Sequence, residues 1–230
     1  MAGLSSNPVI TCSMGFDDPS FNETEFAAMV AQRYATDHFV ETVASDDFSL
    51  VDALAALYDE PYADSSAIPT YRVCQLARTR VTVALSGDGG DESFGGYRRY
   101  RMHLMEERMR DALPLGVRRP LFGLLGSVYP KADWAPRPLR AKTTFQAMAR
   151  DSVEAYFNTV SILRGAQRSH LYSGSFRREL AGYNALEVFR RHAARAGTDD
   201  ALALIQYLDT KTYLIGDINT KVDRASMAHS

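Results

Sequence analysis

The sequence has little cysteine: Cys12 and Cys74 are its only two, beside a single tryptophan. Two cysteines cannot build a disulfide framework or a cysteine-rich zinc site. Read as two buried thiols, they place the chain in a reducing compartment. No run of about 18 apolar residues occurs, so no membrane-spanning helix is expected. The start, Met1 to Asp18, lacks the basic n-region of a secretory leader. The expected setting is therefore cytoplasmic, with no membrane partner. Asn22-Glu23-Thr24 fits a glycosylation sequon, which has weight only in a secreted chain. A surplus of one charge is also missing. Twenty-six basic residues stand against 28 acidic ones, for a net charge of −2 and a pI near 6.2. Without a basic surplus, nucleic acid is not expected as a partner. No Walker A, HExxH, EF-hand or GxSxG pattern occurs, and a Rossmann fingerprint starting at Gly87 would need glycine where Glu92 stands. The histidines, His38, His103, His170, His192 and His229, lack metal-ligand spacing.

What is present is a globular mixture. Hydrophobic residues make up 46% and charged residues 23% of 230 residues, which excludes disordered and collagen-like classes. The length leaves room for one large domain or two small ones. Size scaling gives a folded surface of about 10,000 Å² against about 37,000 Å² unfolded, so about 70% would be buried.

The first hundred residues alternate between two periods. Pro8 to Met14 is a short apolar run closed by Gly15 and Asp17-Asp18-Pro19, which reads as a buried strand and a loop. Asn22 can cap a helix whose apolar positions are Phe26, Met29, Val30 and Tyr34. Phe39 to Val43 reads as a second strand, and Leu50, Val51, Leu54, Leu57 and Tyr58 as another helical stripe. Asp59-Glu60-Pro61 stops that helix. A helix through Ile68, Tyr71 and Leu76 follows, with Pro69 in its first turn. Val81 to Leu85 has the strongest strand signal in the chain. After about residue 98 the strand signal vanishes. Arg98 to Arg110, Thr143 to Leu163, Ser175 to Ala196 and Asp200 to Ala228 read as helical, and the proline-rich stretch Asp111 to Arg140 as short helical pieces. The β–α–β–α order predicts an α/β parallel sheet over residues 1–98, followed by an all-helical part over 99–230.

Chemistry concentrates in Leu85-Ser86-Gly87-Asp88-Gly89-Gly90-Asp91-Glu92-Ser93-Phe94-Gly95-Gly96-Tyr97. Ligands of open α/β sheets sit outside the carboxyl ends of strands. Three glycines in four positions allow close backbone approach and positive φ, and their N–H groups can form an anion nest. Carboxylates beside phosphate-binding N–H groups make electrostatic sense with a cation between them. Mg²⁺ held by one or two carboxylates and substrate phosphates meets that need. The pattern reads as a nucleotide–Mg²⁺ site; a tight turn with capping aspartates is the plain alternative.

Ser86-Gly87-Asp88-Gly89-Gly90-Asp91-Glu92 with Phe94-Gly95-Gly96-Tyr97 resembles the second nucleotide-site motif of the glutamine-hydrolysing asparagine synthetase family. Three further segments agree, in the family's order. Ser13-Met14-Gly15-Phe16-Asp17 resembles the strand end after the family's pyrophosphatase loop. Asp59-Glu60-Pro61 with Asp64-Ser65-Ser66-Ala67-Ile68-Pro69-Thr70-Tyr71 resembles its DEPxxDSSxxPxY segment. Asp217-Ile218-Asn219-Thr220-Lys221-Val222-Asp223-Arg224-Ala225-Ser226-Met227-Ala228 resembles its DxLxKxDRxSMA segment. The wording is similar to amidotransferases found with bacterial exopolysaccharide and exosortase systems.

The resemblance implies a sheet of the adenine-nucleotide α-hydrolase (ATP pyrophosphatase) type, present here in incomplete form. It also implies an ATP-dependent ligase with Mg²⁺. A carboxylate, typically that of aspartate, attacks the α-phosphate of ATP, Mg-pyrophosphate leaves, and ammonia from glutamine displaces AMP to leave an amide. On the matching positions, Ser86 and Gly87 contact ATP, and Met14 meets the adenine side through its backbone. Asp88 is the acid/base residue of acyl-adenylate chemistry, in a position where many relatives carry glutamate, and Asp91 helps hold Mg-pyrophosphate. Asp64, Ser65 and Ser66 are candidates for substrate contact or for a helix cap. Lys221 and Arg224 are candidates for phosphate contact or for surface ion pairs. The Arg98-Arg99-Arg101 cluster reads as a solvated helix start, or else as a phosphate or domain-interface patch. Ser93 stands where relatives carry an aliphatic residue, which puts a polar group at an expected core position.

The family's SGGxDSS loop, its distal catalytic lysine segment and its cysteine glutaminase domain are not in these 230 residues. The chain is thus expected to be an internal piece of a synthetase domain with little activity alone. In its parent it would work with the glutaminase domain, and the family admits a homodimer. A β-lactam-synthetase-like or exopolysaccharide-modifying amidotransferase and a non-catalytic nucleotide-binding module remain open alternatives. With a neighbouring strand missing, exposed apolar surface is expected around Val81 to Leu85.

Overall fold

A computed structural model of the chain describes residues 1–20, 22–44, 49–130, 134, 136 and 141–230. It divides into two compact units, residues 1–88 with 215–230, and residues 89–214.

The first unit opens with strand β1 (Ile10–Phe16), helix α1 (Thr24–Tyr34) and strand β2 (Asp37–Val43). The strands pair in parallel, from Ile10 opposite Asp37 to Phe16 opposite Val43. That is the βαβ arrangement expected from the alternating pattern. Ala35 closes α1 in the left-handed region, at φ 49°. Helices α2 (Val51–Leu57) and α3 (Ala67–Arg78) follow. Their facing sides form a small core of Leu54, Tyr58 and Ala67, with Leu50, Leu57, Tyr62, Ile68 and Tyr71 packed around it.

Val81 to Leu85 is not a strand. The residues join no ladder, and Val83 and Leu85 are each 79% exposed. Strand propensity is a fit to a pleated, half-buried surface. Among the described residues, β1 and β2 pair only with each other, so the apolar run has no surface to fit. Exposed apolar side chains are the outcome that the sequence predicted for this segment.

The second unit is entirely helical among its described residues. Its helices are α4 (Gly90–Phe94), α5 (Arg98–Asp111), α6 (Leu115–Val128), α7 (Lys142–Met148), α8 (Ser152–Val160), α9 (Gly165–Leu171), α10 (Gly174–Glu179), α11 (Leu186–Ala193) and α12 (Ala201–Lys211). The run from Thr143 to Leu163, expected as one helix, is two. Asp151 caps α8 by accepting the Glu154 N–H at 2.8 Å, which starts a new helix instead of continuing α7. The run from Ser175 to Ala196 is also broken, by Ala181 and Gly182 at positive φ. Positions 131–133, 135 and 137–140 of the proline-rich stretch lie outside the described residues. The core of this unit is Tyr100, Tyr156, Ile205 and Leu208. Gly126 brings α6 against α7, where an added Cβ would meet Gln146 at 3.0 Å, and the Phe122 and Phe145 rings stack at 6.1 Å.

A π-helical turn, Leu214–Asn219, leads into α13 (Thr220–Met227), which packs on α3 of the first unit. Residues 215–230 therefore belong with the sheet, not with the helical run that precedes them. No helix of the described residues is long and apolar enough to cross a membrane. The chain exposes 15463 Å², against the about 10,000 Å² that its mass predicts.

Candidate functional site

In the first unit, the second half of β1 forms one wall of a cavity of about 500 Å³. Cys12, Ser13, Met14 and Phe16 face Phe26 and Val30 of α1 and Thr70 and Val73 of α3 across it. Met14 therefore stands where the sequence expected a ligand, at the carboxyl end of a parallel strand. Gly15 is buried, and a Cβ there would lie 3.0 Å from the Thr24 methyl group.

The segment between α2 and α3 meets the π-helical turn and α13 along one seam. Tyr62 donates its hydroxyl to the Asp217 carboxylate at 2.6 Å and carbonyl at 2.7 Å. Lys221 donates its Nζ to Asp64 at 2.8 Å and to the Ser66 hydroxyl at 2.5 Å. Arg224 pairs with Asp59 at 2.8 Å. Asp217, Lys221 and Arg224 are spaced four and three apart, so one helical face carries all three partners. Tyr58 and Tyr62 stack below the seam at 4.2 Å. Burial and the Asp217 contact together hold the Tyr62 hydroxyl in its protonated form. Burial alone would raise the Asp64 pKa, but the bonds from Lys221 and Ser66 outweigh it and hold the carboxyl below its usual range.

These contacts redistribute the sequence candidates. Asp64, Ser66 and Lys221 are brought together, and they satisfy one another. Asp64 also accepts the Ser66 N–H at 2.9 Å, a local turn that sets the entry to α3, while Ser66 itself makes no side-chain cap. Arg224 is taken up by Asp59. Ser65 is exposed, and it lines a second cavity of about 560 Å³ with Tyr58, Tyr62 and Asp64.

Ser86, Gly87 and Asp88 end the first unit's main segment, all three exposed, and a Cβ at Gly87 would meet nothing within 4 Å. The backbone here is open to a ligand.

In the second unit, Gly89 turns into α4 at φ 86° and Gly95 leaves it at φ 73°. Both conformations favour glycine. Asp91 is exposed on the first turn, while Glu92 is 1% exposed. The Asp91 carbonyl accepts the Gly96 N–H at 3.0 Å, and a Cβ on Gly96 would fall 1.9 Å from Asp91 Oδ1. Only a hydrogen fits beside that carboxylate. Tyr97 donates its hydroxyl to Glu92 at 2.7 Å, and the Gln206 amide holds the Glu92 carbonyl at 2.8 Å. The loop carrying Asp91 is thus fixed from below by its neighbour. Ser93 is exposed instead of core-facing, so its hydroxyl has no burial cost.

Two features escaped the sequence reading. Arg98 and Arg101 are exposed at the start of α5, but Arg99 is half-buried and not solvated like them. It lies 3.6 Å over the Tyr97 ring and pairs with Asp209 at 2.7 Å. Asp209 is fully buried, and its Oδ2 also accepts the Tyr100 and Tyr156 hydroxyls at 2.7 and 2.6 Å. The signal was available: Asp209 follows Ile205 by four residues, a carboxylate on an apolar helical stripe.

Among the described residues, no group of three or more His, Cys, Asp or Glu side chains is placed to hold a metal ion by itself. The donor set suits a cation that arrives with phosphate oxygens and needs only one or two carboxylates.

The family model described as Asparagine synthase matches residues 1–230. The chain is 32% identical over 226 residues to a protein of Mycobacterium tuberculosis (strain ATCC 25618 / H37Rv) named putative asparagine synthetase [glutamine-hydrolyzing], covering 97% of this chain and 33% of that protein. It is 27% identical over 225 residues to asparagine synthetase [glutamine-hydrolyzing] 1 of Bacillus subtilis (strain 168), covering 96% and 33%. It is 39% identical over 116 residues to putative asparagine synthetase [glutamine-hydrolyzing] 2 of Methanocaldococcus jannaschii, covering 48% and 22%. The chain thus spans about a third of the length of the first two relatives. No solved structure matches it.

Proposed function

This chain belongs to the asparagine synthase family, and from that premise we propose that it is part of an ATP-dependent ligase that converts the aspartate carboxylate to an amide. Ammonia drawn from glutamine by a separate glutaminase domain of the parent protein is the nitrogen source. The observation that carries the reading is the cavity against Met14, at the strand end where an open α/β sheet takes its ligand. Its apolar wall of Met14, Phe26, Val30 and Val73 suits a flat heterocycle, and the exposed backbone of Ser86 and Gly87 offers N–H groups for polar contact.

In the proposed reaction a substrate carboxylate attacks the α-phosphate of ATP, and pyrophosphate leaves. Ammonia then attacks the acyl carbon and AMP departs. Mg²⁺ would neutralise charge on the departing phosphates. Asp91, exposed beside the Glu92–Tyr97 contact, would help hold that ion with the departing pyrophosphate. Asp88 would take or stabilise the proton that ammonia loses as the amide forms. The Lys221–Asp64–Ser66 group holds the entrance to α3, leaving Ser65 as the polar side chain open to a substrate.

The test is ATP–pyrophosphate exchange and amide formation with aspartate in the intact parent protein. Asp88→Ala should lower amide formation from aspartate and ammonia by about a hundredfold or more, the usual scale of a lost acid/base group. Near-normal amide formation in that variant would remove Asp88 from the chemistry.

A further inference from the structure

Charge is not shared evenly between the two units. The first contains 15 acidic and 6 basic residues, the second 13 acidic and 20 basic. Within the second, residues 162–195 carry seven arginines and no lysine, against Glu179 and Glu187 alone. Two of the seven are engaged. Arg168 reaches Asn184 and lies over the Phe157 ring, and Arg190 pairs with Asp151 at 3.1 Å. Arg164, Arg177, Arg178, Arg191 and Arg195 are exposed, and among the described residues none has a carboxylate within ion-pair distance. Beside them stand Ile162, Leu171, Phe176 and Tyr183, the first of these 83% exposed.

Five guanidinium groups without counter-charge repel one another, and an anionic partner relieves that cost. Their planar forks match carboxylates in bidentate geometry. Arg177 and Arg178 sit on α10 and Arg191 on α11, while Arg164 caps the start of α9 and Arg195 follows α11, with apolar residues between them along the chain. That spacing suits a short chain presenting both charge and apolar surface better than it suits a uniform polyanion. We propose that residues 162–195 form a docking surface for an acidic polypeptide segment with apolar residues between its carboxylates. The inference is independent of the nucleotide reading.

The test uses the 230-residue chain and a fluorescently labelled synthetic peptide of alternating glutamate and leucine pairs, followed by anisotropy. The variant Arg177→Gln/Arg178→Gln/Arg191→Gln is compared with Arg101→Gln/Arg108→Gln/Arg119→Gln, which removes the same charge from α5 and α6. The first should weaken binding by about tenfold, the combined loss of three exposed charge contacts. The second should change it by less than about twofold. If the first variant loses its helical circular dichroism, Arg164→Gln/Arg195→Gln carries the same comparison. Equal loss in both variants, no binding by the parent chain, or tighter binding of an oligouridine of equal charge would each overturn the proposal.

Discussion

His103 shows how a side chain that carries no motif still sets a measurable property. It is 3% exposed, donates or accepts at Ser152 Oγ over 3.1 Å, and packs its ring against Tyr156 at 5.3 Å. Burial pulls its pKa down to about 4, against Glu107, which raises it, and with Arg110, which lowers it further. The folded value lies below the unfolded one near 6.5. Below that pH the unfolded chain takes up a proton that the folded chain refuses. The stability contribution is therefore whole above about pH 6.5 and is lost as the pH falls toward 4, to a limit of about 3 kcal/mol. Urea unfolding at pH 7, 5.5 and 4.5 should show this decline, and His103→Gln should flatten it. An unchanged slope in the variant would show that other groups carry the acid sensitivity. The sequence displayed His103 only as one of five scattered histidines. Its setting depends on Ser152 and Tyr156, some 50 residues away, and no local pattern announces such a contact.

Elements were legible in proportion to how local their causes are. The helical stripes of α1, α2, α3 and α12 follow from spacing alone, and so do β1 and β2. The break between α7 and α8 follows from an aspartate cap inside an unbroken apolar pattern, so periodicity passed over it. Val81 to Leu85 failed in the opposite way, since its propensity is strong but a strand exists only through its neighbour. In the glycine-rich segment the expected positive φ is found at Gly89 but not at Gly87 or Gly90. Gly96 sits where a Cβ would strike the Asp91 carboxylate at 1.9 Å, and Gly87 sits in open space. Gly96→Ala should cost about 1–3 kcal/mol in urea unfolding, the usual penalty of overpacking. Gly87→Ala should stay within about 0.5 kcal/mol. Equal effects would mean that the turn adjusts freely around Asp91.

At the scale of the whole molecule, family membership was the most legible property and the physical surface the least. Four short motifs in order identified the family, because each is a run of neighbouring residues. The candidate site was legible as residue types but not as contacts. The sequence offered Lys221 as a phosphate contact or an ion-pair partner and Asp64 as a substrate contact or a cap, and the structure pairs the two across 157 positions. The surface was misjudged in extent, since the scaling estimate fell well below the 15463 Å² that the chain exposes. The net charge of −2 also conceals an unequal division, an acidic unit joined to a basic one.

That division has a practical meaning at the bench. Chromatographic resins respond to local patches of charge, not to the algebraic sum. Near neutral pH and low salt, the chain should be retained on both an anion exchanger and a cation exchanger and leave each as salt rises to a few Debye-shortening increments, about 0.1 to 0.5 M. Passage through the cation exchanger without delay would show that the arginines are neutralised in solution. An isoelectric point near 6.2 would advise only the first of these columns.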